Sequence, residues 1–213
     1  MKRKRVLRDF LSCLKENDIV IFSGQNISQE ALDYDKEGYF YIEKSYGIAP
    51  SLALGISMST DKRVFIIDGD GGCMMEMSSL AQIGASKVKN LFYVVLNNGV
   101  YQSAGGHPTI FKEVSSINGT ILGFGFTVFN LTAYFKKKSS LPKMNKIINN
   151  LRGPVAIFID VDKSISKEKV DLDIKKKNLR NRINKFIRNT DLGTSLFRPP
   201  TVQELDLTSE WRQ

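Results

Sequence analysis

An aspartate enclosed by glycines follows a run of apolar residues in the segment FIIDGDGG, residues 65–72. Ligands of open parallel sheets bind beyond the carboxyl ends of the strands, so this position suits a binding group. Gly71 and Gly72 would let backbone N–H groups approach a phosphate closely, whereas the Asp70 carboxylate would repel it. A hard cation such as Mg²⁺ removes this conflict, because it takes a carboxylate together with phosphate oxygens. The segment therefore predicts a site for a divalent cation and a phosphate group.

A second polar group follows the next apolar run along the chain, LFYVVL at residues 91–96. Asn97 and Asn98 come directly after this run, next to Asp70 if the two strands are neighbours. An asparagine amide oxygen is a neutral hard ligand, and the turn after it can direct a backbone carbonyl inward. Together the two segments predict a cation–diphosphate site.

Two other interpretations of these residues stay open. Aspartate and asparagine are common as turn and cap residues, which would give Asp70 and the Asn pair a purely local role. Asp68 and Asp70 also have the spacing of a phosphatase-like fold, in which the first aspartate is a nucleophile. Such enzymes further carry a hydroxyl at the next strand end, a lysine and a late acidic pair. Here the next strand ends in two asparagines, and a valine separates Asp160 from Asp162.

Apolar β-rich runs alternate with helical patterns along most of the chain, which predicts an α/β fold with a doubly wound, mostly parallel sheet and helices on both faces. The predicted strands are 19–22, 39–42, 63–68, 91–96, 126–130 and 154–160. The predicted helices are 46–59, 73–86, 111–121 and 141–151, preceded by an amphipathic N-terminal helix with Val6, Phe10 and Leu14 on one side. Most of the strands are continuous apolar runs, as expected of a sheet that is buried on both faces.

The positive charge is concentrated at the two ends of the sequence. The net charge is +9, and residues 2–5 are all basic. Residues 163–188 contain ten lysines and arginines but only three acidic residues. The intervening residues are not basic, so the pattern does not favour a nucleic-acid partner. No apolar run has the length of a membrane helix, and Arg8 and Asp9 interrupt the one resemblance to a signal peptide. We therefore expect a cytoplasmic chain, with Cys13 and Cys73 as small core residues.

The composition changes near residue 162, which predicts a folded domain over 1–162 and a basic helical or extended C-terminal extension over 163–213. Within the extension, residues 175–189 have helical spacing, with one apolar face. Its members are Leu179, Ile183, Phe186 and Ile187. The helices of the domain should already cover the sheet, so we expect this face to dock on another chain, the partner subunit or a second copy. The alternative is a helix that packs on its own domain.

The combination of GDG, a helix, a strand and then NN resembles the motif of thiamine-diphosphate-dependent enzymes, and 25 residues separate Gly71 from Asn97. The similarity extends over about 18–160 and corresponds to the diphosphate-binding domain of that family. NNGVYQSAGGHPT at 97–109 resembles NNGVHxSxGGQPT of phosphonopyruvate and sulfopyruvate decarboxylases, and EKSYGIAPSLALGIS at 43–57 resembles their GSMGHA…ALGLA segment.

The resemblance implies two cofactors, thiamine diphosphate and Mg²⁺. Carried over to this sequence, the Asp70 carboxylate, the Asn98 side chain and the Val100 carbonyl would hold Mg²⁺. The residues Gly69, Gly71, Gly72 and Tyr101 would contact the cofactor, with the N–H groups of Gly71 and Gly72 at its diphosphate, and Asn97 would support the turn.

The resemblance further implies cofactor contacts from Lys44, Ser45 and Tyr46, and this segment departs from the family pattern. Lys44 replaces a glycine whose carbonyl binds the 4′-amino group of the cofactor. Tyr46 stands where a methionine or isoleucine normally lies between the two cofactor rings. His107 replaces a glutamine.

The family also needs a pyrimidine-binding domain with a glutamate that activates the cofactor, and neither end of this sequence resembles one. The resemblance therefore implies no catalytic residue in this chain and a partner, the α subunit, that supplies the glutamate in a hetero-oligomer. Glu43 and Glu76 are interpreted as surface or helix residues.

The leading hypothesis is the diphosphate-binding β subunit of a split decarboxylase for a small 2-oxo acid, 3-phosphonopyruvate or 3-sulfopyruvate. Alternatives are a carboligase similar to acetolactate synthase and a non-catalytic cofactor-binding subunit that serves assembly. Candidates for substrate contact are Ser103, His107 and Lys112. Each can also be interpreted without a role in function, Ser103 as a turn residue, His107 as a solvent-facing loop residue and Lys112 as a surface lysine.

Overall fold

The computed structural model describes residues 1–43, 47–112, 116–137 and 140–163. The strands are β1 (Ile19–Ser23), β2 (Tyr39–Ile42), β3 (Val64–Gly69), β4 (Leu91–Asn97), β5 (Val100–Tyr101), β6 (His107–Pro108), β7 (Thr127–Asn130) and β8 (Val155–Asp160). The helices are α1 (Arg3–Leu11), α2 (Gln25–Ala31), α3 (Ala49–Met58), α4 (Asp70–Met75), α5 (Met77–Ser86), α6 (Ile117–Gly123), α7 (Thr132–Lys136) and α8 (Leu141–Asn150). Short 3₁₀ turns cover Leu32–Tyr34 and Ile110–Lys112.

Six strands form one parallel sheet in the order β2-β1-β3-β4-β8-β7. β5 and β6 form a separate antiparallel hairpin. The chain runs from β1 outward to β2, then returns to the other side of β1 for β3 and β4. The strand order therefore reverses between β1 and β3, and such a switch point opens a crevice at the carboxyl edge of the sheet. The predicted doubly wound α/β fold is confirmed.

Helices cover both faces of the sheet. α1, α2, α7 and α8 pack on one face, and α3, α4, α5 and α6 pack on the other. Alternate residues of each strand supply the two cores: in β1, Val20 and Phe22 face the first core, while Ile19 and Ile21 face the second. Burial of both sets explains why the strands are continuous apolar runs rather than alternating ones.

Two predicted helices differ from the structure. The single helix expected over 73–86 begins earlier, at Asp70, and is interrupted at Glu76, which separates α4 from α5. The interruption matters because it places the Glu76 side chain in the interior. In place of a helix over 111–121, the structure has the 3₁₀ turn at Ile110–Lys112 and then α6, whose N-cap Ser116 accepts a hydrogen bond from the Gly119 N–H.

Helices α2 and α7 and the β5–β6 hairpin were not predicted. α2 has the sequence QNISQEA, in which only Ile27 and Ala31 belong to the core. The chain enters α2 through Gly24, whose φ of 89° is a left-handed conformation that favours glycine. The predicted extension, including the helix at 175–189, lies outside the described residues apart from Lys163. The domain boundary near 162 stays a prediction.

No helix in the described part of the chain combines the length and the apolar character needed to span a membrane.

Candidate functional site

A cavity of about 190 Å³ opens at the carboxyl edge of the sheet, at the switch point between β1 and β3. Its walls come from the ends of neighbouring strands and the residues that follow them. They are 23–27 after β1, 68–72 and Met75 at β3 and α4, Leu96, Asn98 and 100–104 around β4, and Arg3 from α1. The parallel pairing of β3 with β4 brings the GDG and NN segments to this edge together.

Asp70 is the first residue of α4, and its side chain is buried, with 1% exposure. One carboxylate oxygen, Oδ1, accepts the backbone N–H of Asn98 at 3.3 Å, and Oδ2 accepts the hydroxyl of Thr109. These contacts fix the carboxylate against the turn after β4. A carboxylate oxygen accepts more than one contact, so Asp70 keeps capacity for a cation in the cavity that it lines.

Asn98 presents its amide oxygen in a defined orientation. Its Oδ1 accepts the Val100 N–H at 3.0 Å, and its Nδ2 donates to the Oε1 atom of Gln102 at 3.4 Å. The Val100 carbonyl accepts the Gln102 N–H at 3.0 Å. Both the amide oxygen and the carbonyl oxygen can accept a second contact. Asp70, Asn98 and Val100, the three residues predicted to hold a cation, therefore lie together on one cavity wall.

Asn97 braces the same turn. Its Nδ2 donates to the Asp160 carboxylate at the end of β8 (2.8 Å), and its Oδ1 accepts the Gly99 N–H (3.1 Å). Gly99 has a φ of 72°, which a residue with a Cβ rarely adopts. These contacts agree with the supporting role predicted for Asn97.

The three glycines around Asp70 meet different surroundings. A Cβ at Gly69 would meet nothing within 4 Å, so this glycine leaves cavity space open. A Cβ at Gly71 would lie 2.7 Å from the ring of Tyr101, which packs on this glycine. A Cβ at Gly72 would lie 2.3 Å from the Asp68 carboxylate. Gly71 and Gly72 are thus required by close packing.

Asp68 is buried beside the cavity with both oxygens engaged. Oδ1 accepts the Gly69 N–H at 2.7 Å, and Oδ2 accepts the Tyr93 hydroxyl at 3.0 Å. Burial raises the pKa of Asp68 to about 6, and these hydrogen bonds oppose the rise. A carboxylate that is packed on Gly72 and held by these donors is poorly placed to attack a substrate, which argues against the phosphatase-like alternative.

Arg3 belongs to the cavity wall, although the sequence placed it in a basic N-terminal cluster. Its side chain is 4% exposed, and its guanidinium makes a two-fold ion pair with the Glu30 carboxylate, with both N–O distances 2.9 Å. It also donates to the Oε1 atom of Gln102 at 2.6 Å. Sequence reasoning missed Arg3, Glu30, Gln102 and Thr109. No local spacing reveals them, because 27 and 99 positions separate Arg3 from its two partners.

The candidate substrate residues lie apart from one another. Ser103 is exposed and lines the cavity. His107 is exposed in β6 and does not line the cavity. Lys112 ends a 3₁₀ turn, and its side chain lies outside the described part of the structure, as do Lys44, Ser45 and Tyr46. The roles of all these residues stay predictions.

Glu76 was interpreted as a surface or helix residue, and the structure places it, buried, between α4 and α5. Its side chain is 6% exposed, and a Cβ at Gly47 would lie 2.1 Å from its Oε1 atom. Burial raises the pKa of the Glu76 carboxyl, and a hydrogen bond with Ser79 lowers it. The glutamate is therefore packed under the backbone that follows the undescribed segment 44–46.

Comparisons with known proteins identify the family of this domain. Residues 27–167 match the family model described as thiamine pyrophosphate enzyme, C-terminal TPP binding domain. A protein from Mycobacterium smegmatis that has been assigned as a thiamin diphosphate-dependent enzyme has a similar solved structure. It has a TM-score of 0.62 and 17% identity, and the match covers 76% of this chain and 32% of that one. This likeness supports the fold.

Among proteins of similar sequence, the sulfopyruvate decarboxylase subunit beta of Methanocaldococcus jannaschii is 34% identical over 110 residues, which are 51% of this chain and 58% of the relative. The phosphonopyruvate decarboxylase of Streptomyces viridochromogenes is 39% identical over 80 residues, 38% of this chain and 20% of the relative. The matches thus span between about a fifth and three fifths of these relatives. The family match covers well over half of the chain and includes every element of the cavity except Arg3 and residues 23–26. The chain therefore belongs to the thiamine pyrophosphate enzymes and carries their C-terminal TPP-binding domain.

Proposed function

We propose that this chain is the diphosphate-binding subunit of a split, Mg²⁺-dependent decarboxylase for 3-phosphonopyruvate or 3-sulfopyruvate. The observation that carries the proposal is the meeting of Asp70, Asn98 and Val100 on one wall of the cavity at the switch point. The names of the similar proteins supply the reaction class, since they are sulfopyruvate and phosphonopyruvate decarboxylases.

The donor set of the cavity suits Mg²⁺. Mg²⁺ prefers oxygen ligands, keeps several waters, and binds through one or two carboxylates together with substrate phosphates. Asp70 offers the carboxylate, and Asn98 and Val100 offer neutral oxygens beside it. The described residues contain no cluster of three or more His, Cys, Asp or Glu side chains. Since one carboxylate does not neutralise a divalent cation, a cation held by Asp70 keeps a net positive charge that attracts a diphosphate.

The floor of the cavity suits a diphosphate. Gly69 leaves the space above it open, and Gly71 lies in the first turn of α4, whose first N–H groups have no acceptor within the helix. In the proposed complex, Asp70, Asn98 and Val100 hold the cation, and the glycine backbone meets the phosphate oxygens. When bound, thiamine diphosphate supplies the nucleophilic carbon and the electron sink for loss of CO₂.

The chain itself holds and orients the cofactor in this proposal. The Tyr101 ring covers Gly71 and so keeps water from one side of the diphosphate site. Asp68, held by Tyr93 and the Gly69 N–H, keeps the backbone between β3 and α4 in place. Ser103 stands at the rim, where its hydroxyl is available to a bound 2-oxo acid.

A partner subunit is part of the proposal. The cavity volume of about 190 Å³ is below the roughly 300–1,000 Å³ of complete small-molecule pockets. Large apolar side chains stand exposed at Ile48, Leu52 and Met75, and Met75 lines the cavity. In our proposal an α subunit covers this region, completes the pocket and supplies the glutamate that activates the cofactor. The β-subunit names of the relatives support a hetero-oligomer.

Calorimetry with thiamine diphosphate and Mg²⁺ tests the proposal. The full-length chain should bind the cofactor weakly, at millimolar concentrations, and should release no CO₂ from either acid without a partner. Asp70→Asn should weaken binding by at least about 100-fold, because it removes the one charged ligand of the proposed site. Asp61→Asn, at an exposed carboxylate, is the matched control and should bind like the wild type. Robust turnover by the chain alone would exclude the two-subunit model, and unchanged binding by Asp70→Asn would return Asp70 to a capping role.

A further inference from the structure

The buried guanidinium of Arg3 is the largest feature of the cavity wall that the proposed function leaves unused. A buried charge is stable only when it is paired and its hydrogen-bonding groups are satisfied. Glu30 supplies the opposite charge through two hydrogen bonds of 2.9 Å, one to Nε and one to Nη2. The Glu30 side chain is as deeply buried as Arg3, so the pair is shielded from solvent. The pair is neutral as a whole, which makes Arg3 a poor receptor for an anionic substrate.

The position of Arg3 follows from how α1 begins. The Met1 carbonyl accepts the N–H of Asp162 at 2.8 Å, so the chain starts beside the end of β8 at the carboxyl edge of the sheet. α1 then begins at Arg3, which faces the last turn of α2, where Glu30 lies. The guanidinium is therefore fixed from two helices while it points at the cavity.

The remaining Nη1 donor connects this pair to the turn after β4. It donates to Gln102 Oε1 at 2.6 Å, and the same oxygen accepts the Asn98 Nδ2 at 3.4 Å. Arginine has donors only, so Gln102 must present its oxygen, and never its amide nitrogen, to Arg3. An oxygen fixed there in turn attracts the NH₂ end of Asn98. The Oδ1 end of Asn98 is then left for the Val100 N–H and for the cavity.

We propose that Arg3 is a positioning residue for the cation site, acting through Gln102 to keep the amide oxygen of Asn98, and not its NH₂ group, available to the metal. The inference rests on the proposed function, since it needs Asn98 to be a ligand. An amide that rotates by 180° presents donors to a cation and cannot bind it. Partners of metal ligands commonly change metal affinity by 10-fold to 100-fold when they are lost.

The variants must separate positioning from simple stability. Arg3→Met alone would strand the buried Glu30 charge and unfold the chain for a trivial reason. The pair is therefore removed together, as Arg3→Met with Glu30→Met. Gln102→Met breaks the connection at the partly exposed residue between Arg3 and Asn98 and leaves the ion pair intact. Lys4→Gln is the control on the same helix, since Lys4 pairs with Asp33 at the surface (2.7 Å).

The measurement is the Mg²⁺ concentration that gives half of the thermal stabilisation produced by millimolar thiamine diphosphate, on the full-length chain. We expect Gln102→Met and the Arg3→Met/Glu30→Met chain each to need roughly 10-fold to 100-fold more Mg²⁺. The triple variant, which combines Gln102→Met with Arg3→Met and Glu30→Met, should need no more Mg²⁺ than the double variant, because both changes break the same connection. Lys4→Gln should match the wild type. If the double variant does not fold, Gln102→Met decides the question.

The outcomes distinguish the inference from the function beneath it. A wild-type Mg²⁺ requirement in Gln102→Met, together with a raised one in Asp70→Asn, would overturn the positioning role and leave the cation site standing. Lowered unfolding midpoints with an unchanged Mg²⁺ requirement would make Arg3 and Gln102 structural only, which also overturns it. No Mg²⁺-dependent stabilisation of the wild type, or none that Asp70→Asn weakens, would overturn the proposed function and this inference together.

Discussion

Gly69 and Gly72, three positions apart, should respond in opposite ways to substitution by alanine. A methyl group at Gly69 would enter open space beside the cavity, and the backbone there (φ −92°, ψ 164°) is allowed for any residue. A methyl group at Gly72 would lie 2.3 Å from one oxygen and 2.6 Å from the other oxygen of the buried Asp68 carboxylate. Gly69→Ala should therefore impair binding but not folding, and Gly72→Ala should impair folding.

The magnitudes follow from the contacts. For Gly72→Ala, overpacking costs about 1–3 kcal/mol, and displacing Asp68 from Tyr93 and the Gly69 N–H costs about 1.5–3 kcal/mol more. The higher helix propensity of alanine returns about 0.5–1 kcal/mol. A net loss of about 1.5–5.5 kcal/mol lowers the unfolding midpoint by roughly 3–20 °C in a chain of this size. Gly69→Ala should gain about 0.4–1 kcal/mol, because alanine restricts the unfolded chain.

Thermal unfolding and calorimetric titration of the same preparations test both statements. Gly69→Ala should bind thiamine diphosphate with Mg²⁺ at least about tenfold more weakly, since a clash of 1.4 kcal/mol already gives that factor. Gly55→Ala is the control, because its Cβ also meets nothing within 4 Å but lies on the exposed side of α3. Full cofactor affinity in Gly69→Ala would show that the cavity is not the diphosphate site. Wild-type stability in Gly72→Ala would show that Asp68 is not packed as described.

Three further measurements concern groups outside the ligand set. The pKa of Asp68 is raised from 3.8 to about 6, so between these pH values the folded chain holds a proton that the unfolded chain has lost. Without metal, the free energy of unfolding should therefore fall by about 3 kcal/mol as the pH rises through this window. In urea unfolding, the difference in stability between Asp68→Asn and the wild type should change with pH by that amount. A pH-independent difference would contradict the raised pKa. Lys87 caps α5 in a left-handed conformation (φ 54°), so Lys87→Gly should stabilise the chain by about 0.5–1 kcal/mol in the same assay, and a loss of stability would refute this. Burial raises the pKa of Cys73 to about 12 and also raises that of Cys13, so iodoacetamide at pH 8 should label both thiols only after unfolding; rapid labelling of the native chain would contradict their burial.

The sequence was sufficient for the sheet because the signal there is local. Each strand is an apolar run that both cores bury, and all the predicted strands are present within one or two residues at each end. The pairing of Asp70 with the Asn97–Asn98 turn was also predictable. Both segments follow strands, and adjacent parallel strands end at the same edge.

The rest of the site depends on contacts that no spacing encodes. Arg3 looked like one member of the basic N-terminal cluster, and Glu76 like a surface or helix residue, because charged side chains are rarely buried. Their burial results from how α1 meets α2 and from the interruption between α4 and α5. The contact of Thr109 with Asp70 could not be predicted for a related reason. The hairpin of β5 and β6 folds Thr109 back onto Asp70, which lies 39 positions earlier.

The hydrogen bond between the Met1 carbonyl and the Asp162 N–H has an architectural consequence. It brings Met1 and the residues that follow β8 to the same place, and Met1 is two residues from Arg3 in the cavity wall. A second domain joined before Met1 or directly after Asp162 would emerge beside the cavity and reach it through a short linker. The fold is thus equally suited to a two-chain enzyme and to a single fused polypeptide, and an engineered fusion or a circular permutant joined at this point should keep the cavity intact.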